Sequence, residues 1–220
     1  MADQPLWRQL IFYFTHNGIY ILQQFCRHFL ISFYGVLIAV IIGIPLGIYI
    51  ANHYKLGNFI ISIANVIQTV PSLAMLSIIM LVLGLGPNTV IVTIFLYSLL
   101  PILKNTYTGM RNVDPHVIDS ARGMGMTKIQ LLYLVKLPLA MSVIMSGIRT
   151  AMIVAIGNTA IGSFVGAGGL GDLIIRGTNA TDGTPLILAG ALPTALMAVI
   201  TDLLIGLLQK YFEPTNYMKK

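Results

Sequence analysis

Long apolar stretches alternate along the chain with short polar ones, and the apolar stretches have the length of membrane spans. A helix needs roughly 20 mostly apolar residues to cross a bilayer. Residues 29–51, 59–84, 89–103, 139–165 and 186–208 meet that pattern, the third with a turn added at either end, and predict five spans. Dividing the second at Pro71 gives an alternative of six. The longest polar interruption, 105–138, predicts two short helices around a corner. Asp114 suits an N-cap, with Pro115 at the first helical position, where its missing N–H costs nothing. Val117, Ile118, Ala121 and Met124 then make one apolar stripe. Gly125 supplies the turn. Thr127 and Gln130 have capping-box spacing, with Met126 stapled to Leu131, and Leu137-Pro138 predicts the end of the second helix.

Neither a repeat nor a low-complexity run is visible, which predicts one all-α transmembrane domain over 29–208 with the polar loop at 105–138. Trp7, Phe12, Tyr13, Phe14 and Tyr20 suit the headgroup zone, so 1–28 reads as an interfacial segment and 209–220 as a tail. Segment 1–28 lacks the basic start, apolar run and cleavage site of a signal peptide.

Composition agrees with a membrane protein. Of 220 residues, 56% are hydrophobic and 9% charged, with a mean hydropathy of +0.85. Soluble domains carry about a quarter charged residues. The net charge of +6 is spread over loops, which argues against nucleic acid as a partner. Cys26 is the only cysteine, no metal-ligand spacing occurs, and the Gly-x-x-x-x-Gly-Lys-Ser/Thr phosphate loop is missing. No cofactor, metal or catalytic residue is expected, and any ATP chemistry belongs to another chain. Histidines 16, 28, 53 and 116 fall in loops or near span ends without a paired carboxylate.

Counting basic residues fixes an expected orientation. Five spans put Lys55, Lys104, Arg111, Arg122, Lys128, Lys136, Lys210, Lys219 and Lys220 on one side, and Arg8, Arg27 and Arg176 on the other. The first side is then cytoplasmic, with the amino terminus outside and the carboxyl terminus inside.

Polar groups inside spans are the candidates for function. Asn65, Gln68 and Ser72 lie at i, i+3 and i+7 on one predicted face, with Thr69 beside it and Pro71 removing a backbone hydrogen bond. Such a face lines a solute path or glues helices together. Arg149 and Asp202 are charges within spans and are expected to pair. Gly43/Gly47 and Gly162/Gly166 have the spacing that lets helices approach closely. Gly166, Gly168, Gly169 and Gly171 follow a span rather than a strand, which excludes a dinucleotide fingerprint and suggests an outer hinge or gate.

One pattern resembles a known family. Asp119-Ser120-Ala121, three residues, Gly125, nine residues, then Val135-Lys136-Leu137-Pro138 is similar to the coupling loop of binding-protein-dependent ABC importer permeases. Asp119 stands for the usual Glu, Ser120 for Ala and Val135 for Ile. The resemblance implies a bacterial plasma-membrane permease whose loop docks on cytoplasmic ATPase subunits. It further implies a substrate-binding protein outside and a second copy or close paralogue beside it. Gln68 to Ala74, Leu100 to Gly109, Ala121 to Thr127 (which includes Gly123), Gly147 to Ala151 and Gly166 to Asp172 look like the branch for glycine betaine, carnitine and choline. Methionine permeases share the loop and the glycine-rich run. An ATP-independent channel and a structural scaffold are the rivals from other classes.

Overall fold

The computed structural model describes residues 4–213, and the regular structure among them is helical throughout. Lys219, Lys220 and most of the expected tail lie outside the described residues.

Helix α1, Leu6–Ala51, is 46 residues long and bends at Asn17, which has non-helical φ/ψ. The backbone has no break at residue 28, where the sequence suggested a boundary. Residues 19–28 hold neither proline nor glycine to interrupt a helix, so it runs from the bend into the span. At 1.5 Å per residue the part after the bend is about 51 Å long, well beyond the roughly 30 Å hydrocarbon core.

The inner half of α1 presents Gly35, Ala39, Gly43 and Gly47, all buried, at intervals of four. They face α4, Pro87–Arg111. A Cβ built on Gly47 would lie 2.7 Å from Thr106 Cβ, and one on Gly43 would lie 3.0 Å from Ile102 Cγ2. The backbone of α1 therefore lies directly against the side chains of Ile94, Ile102 and Thr106 on α4. Helix α7, Leu137–Gly162, closes on α4 from another direction through Gly147, where a Cβ would lie 2.7 Å from Pro101 O. Gly162 meets Val90, but Gly166 faces open space with φ +75°, so only the first of that pair is a packing glycine. Helix α4 is thus the central post, and Ile31, Val36, Leu76, Ile94, Ile102 and Met152 fill the core around it.

Helices α2, Tyr54–Thr69, and α3, Ser72–Leu83, meet at 98° across Pro71. Among the described residues, four helices are long and apolar enough to cross a membrane, and five spans result when this bent pair counts as one. Helix α5, Pro115–Gly123, is followed by α6, Lys128–Gln130, and a wide π turn over Leu131–Lys136 that runs directly into α7. The expected stop at Leu137-Pro138 does not occur. Pro138 cannot donate to the carbonyl four residues back, and the chain widens so that Leu137 N–H donates to Leu132 O instead. A short 3₁₀ turn, Ser163–Val165, ends α7; α8, Leu170–Thr178, then packs against α9, Thr184–Tyr211. The outward face of α9 is bare, with Leu196, Leu203 and Leu207 exposed.

The glycine row gives a signed contrast. Gly47→Ala should lower thermal stability in detergent by about 1–3 kcal/mol through overpacking. Gly18→Ala meets nothing within 4 Å, and should leave the melting temperature unchanged or slightly raised.

Candidate functional site

Three polar clusters stand out where lipid or packing would favour apolar groups. The first is the elbow between α2 and α3. Val70 is extended (φ −69°, ψ 128°) ahead of Pro71, so its carbonyl leaves the helix without a partner. In α4, Pro101 lacks the N–H that would have reached Tyr97 O. Each helix supplies what the other lacks. Gln68 Nε2 donates to Tyr97 O at 2.8 Å, and the Tyr97 hydroxyl donates to Val70 O in a short bond. Tyr97 is buried, with its hydroxyl fully engaged.

The 98° bend also redistributes the predicted polar face. Asn65 and Thr69 remain on α2 and are exposed, whereas Ser72 begins α3 and belongs to a different face. Ser62 and Thr69 turn their hydroxyls onto Asn58 O and Val66 O. The Asn65 side chain is exposed and makes no hydrogen bond among the described residues.

The second cluster joins α1 to the glycine-rich run. Gly168 and Gly169 have φ of +73° and +86°, a turn that aims successive N–H groups at α1. Gly169 N–H donates to Gln24 Oε1 at 2.7 Å and Leu170 N–H to His28 Nδ1 at 3.3 Å. A backbone N–H can only donate, so Nδ1 is the acceptor and Nε2 donates to Ile156 O at 2.9 Å. His28 is fully buried. One turn on either side, Tyr20 donates to Asp172 at 2.8 Å and Ser32 pairs with Thr159 at 2.7 Å. Asp172 also bonds Arg176 and thereby holds its guanidinium above its ordinary range. Gly171 is packed against the Ser163 hydroxyl and the Ala160 carbonyl. The run is pinned at both ends rather than free.

The third cluster is Arg149 of α7 with Asp202 of α9. Nε lies 2.5 Å from Oδ1 and Nη2 lies 2.6 Å from Oδ2, a two-pronged pair held half-exposed. Gly206 leaves room for the guanidinium, since a Cβ there would sit 3.3 Å from Nη1.

Outside these clusters, α5 is built by local signals. Asp114 accepts from His116 N–H at 2.8 Å, and Thr127 and Gln130 satisfy each other's backbone. Gly125 N–H donates to Arg122 O and Met126 N–H to Ala121 O, a helix ending that requires the φ of +82° at Gly125. Ala121 is buried, while Asp119, Ser120, Gly123 and Gly125 are exposed and Asp119 lies 3.4 Å from Arg122. Leu137 and Pro138 sit where the π turn joins α7. Met124, Ile129, Tyr133 and Leu134 are apolar and exposed around this polar surface.

Residues 43–215 match the sequence profile of the binding-protein-dependent transport system inner membrane component. The chain belongs to that family. This permease is 59% identical over 213 residues to the carnitine transport permease protein OpuCD of Listeria monocytogenes, covering 97% of this chain and 96% of that one. It is 59% identical to the glycine betaine/carnitine/choline transport system permease protein OpuCD of Bacillus subtilis, covering 96% and 93%. The choline transport system permease protein OpuBD of Bacillus subtilis matches at 57%, covering 94% and 92%. Among solved structures, the inward-facing MetNI methionine ABC transporter matches with a TM-score of 0.77 at 18% identity, covering 87% of this chain and 95% of that one. That likeness concerns fold.

The sequence pattern singles out neither Tyr97 nor His28, the latter falling in a loop or near a span end. The available signal was Tyr20, Gln24, His28 and Ser32, polar side chains spaced by four on one ridge of α1. Their partners lie more than a hundred residues away.

Reversing either charge of the pair, Arg149→Asp or Asp202→Arg, sets like charges together and should lower the amount of permease in the membrane. The double exchange should restore it, read by quantitative blotting of membrane fractions. A double variant no better than the singles would exclude the pair as a stabilising contact.

Proposed function

We propose that this permease is the membrane subunit of an ATP-driven importer for carnitine, choline, glycine betaine and related osmoprotectants. The observation that carries the reading is identity of 57–59% over nearly the whole chain to permeases named for those solutes. A methionine substrate has only the fold in common, and fold alone does not choose a solute.

The elbow fits such cargo. Quaternary ammonium solutes carry no N–H donor on nitrogen, and they pass best along neutral polar groups and aromatic faces. Asn65, Thr69, Pro71 and Ser72 offer neutral groups and irregular backbone at the elbow, with Gln68 holding it in shape. Irregular backbone at membrane depth is tolerated where it lines a cavity or is buried in protein. Asn65 then faces the solute or a second permease chain. The bare faces of α9 and α3 need a cover of lipid and that second chain. Carnitine transport permease proteins named OpuCD and OpuCB in Listeria monocytogenes match at 59% and 41%, which supports a paralogue as the second chain.

The α5 segment is the docking surface for a cytoplasmic ATPase in this scheme. Apolar Met124, Ile129, Tyr133 and Leu134, rimmed by Asp119 and Arg122, make a patch of the kind that marks protein contacts. The distribution of basic residues sets that end inside, with the amino terminus outside. The glycine-rich run then faces a separate binding protein as an anchored rim. The Arg149–Asp202 pair is structural first, with a role in gating second.

Membrane vesicles carrying the permease with its second chain, its ATPase and its binding protein should take up labelled carnitine or choline only when ATP is present. Uptake that persists after ATP depletion would point to a channel. Gly125→Leu forces a side chain into a left-handed conformation at a cost of about 1–2 kcal/mol, and should abolish ATP-driven uptake while membrane insertion is kept. A cysteine at position 120, introduced together with Cys26→Ala to remove the exposed native thiol, should react with impermeant reagents in inside-out vesicles and stay unlabelled in intact cells.

A further inference from the structure

We infer that Gln68 and Tyr97 are positioning residues for solute passage, a reciprocal latch that sets the angle of the elbow between α2 and α3; this rests on the transport reading above. Two prolines on different helices each leave a carbonyl without its helical donor. Pro71 interrupts the first helix just after Val70, and Pro101 strips the donor from Tyr97 O. A buried carbonyl without a donor is costly wherever water is scarce. One amide and one phenol resolve both defects, and both bonds pass through a single residue, Tyr97.

The consequence is mechanical. A proline break alone is a swivel, because it removes the bond that would fix the angle. Here the swivel is tied to the central post α4, from Gln68 on one side of the break and from Val70 next to it. The exposed groups Asn65 and Thr69 lie within one turn of Gln68, so their direction is set by the same two bonds. If the tie is cut, α2 and α3 keep their own helical hydrogen bonds but lose their fixed angle. Uptake then falls without loss of the folded protein.

The test uses the complete transporter in vesicles, the permease with its second chain, ATPase and binding protein, with labelled carnitine as probe. Gln68→Leu removes the donor and should slow ATP-driven uptake roughly tenfold, with unchanged amounts of permease and of bound ATPase. Tyr97→Phe removes the second bond and should act in the same direction. The decisive variant is Gln68→Glu. A carboxylic acid donates to Tyr97 O only when protonated, whereas a carboxylate only accepts. Its uptake, relative to the unaltered protein at each pH, should rise as the medium goes from about pH 8 to about pH 5, and Gln68→Leu should show no such rise. Because the series is read on one assembled preparation, a folding defect cannot produce it. Flat relative uptake in Gln68→Glu, or undiminished uptake in Gln68→Leu, would overturn the latch and leave the transport reading standing. If the unaltered protein fails to take up carnitine, choline and glycine betaine alike, the transport reading itself falls, and the latch as a transport element falls with it.

Discussion

Within a bilayer, a carbonyl that loses its helical partner has no water to turn to. That constraint explains the unusual side chains of this chain better than any requirement for charge. Four breaks in helical bonding are met in three ways. At Pro71 and Pro101 neighbouring helices exchange donors through Gln68 and Tyr97. Where α8 begins, the N–H groups of Gly169 and Leu170 find Gln24 and His28 on α1. At Pro138 the backbone solves the problem alone, widening into a π turn. In each case the polar atom marks a backbone defect.

The same logic sets what surrounds the defects. Lipid tails compete with side chains for apolar contact, so helices associate through close backbone approach and hydrogen bonds. Gly35, Ala39, Gly43 and Gly47 give α1 a smooth surface into which Ile94, Ile102 and Thr106 of α4 fit closely. The polar ridge Tyr20, Gln24, His28 and Ser32 continues one edge of α1 toward the glycine-rich run and α7. One helix therefore holds the post α4 through shape in one half, and holds α7 and the glycine-rich run through hydrogen bonds in the other.

What could be read in advance was local. Hydropathy marks the apolar stretches, and Asp114, Pro115, Thr127 and Gln130 act within three residues of themselves, so their caps are written in adjacent letters. What could not be read depends on distant partners or on alternative backbone geometry. Ser72 leaves the face of Asn65 because the bend at Pro71 is 98°, an angle that Gln68 and Tyr97 hold from 29 residues apart. Helix continuation through Pro138 needs a change of register that proline rules do not anticipate. His28 looked unpartnered because its partners, Ile156 and Leu170, come from the other half of the chain. The glycine-rich run suggested a hinge or gate by composition; its local geometry, positive φ at Gly166, Gly168 and Gly169 and a tight contact at Gly171, depends on residues far away in the chain.

The unbroken passage from α6 through the π turn into α7 has a consequence for how force travels. Residues 128–165 form one rod of 38 residues, about 57 Å in length. A hinge at Pro138 would have absorbed a push on the surface helices as local bending. A rod instead converts a tilt of about 5° at one end into a sweep of about 5 Å at the other, by its length alone. Small displacements of the patch beside Ala121 are thereby geared up at the far rim, where Gly162 abuts Val90.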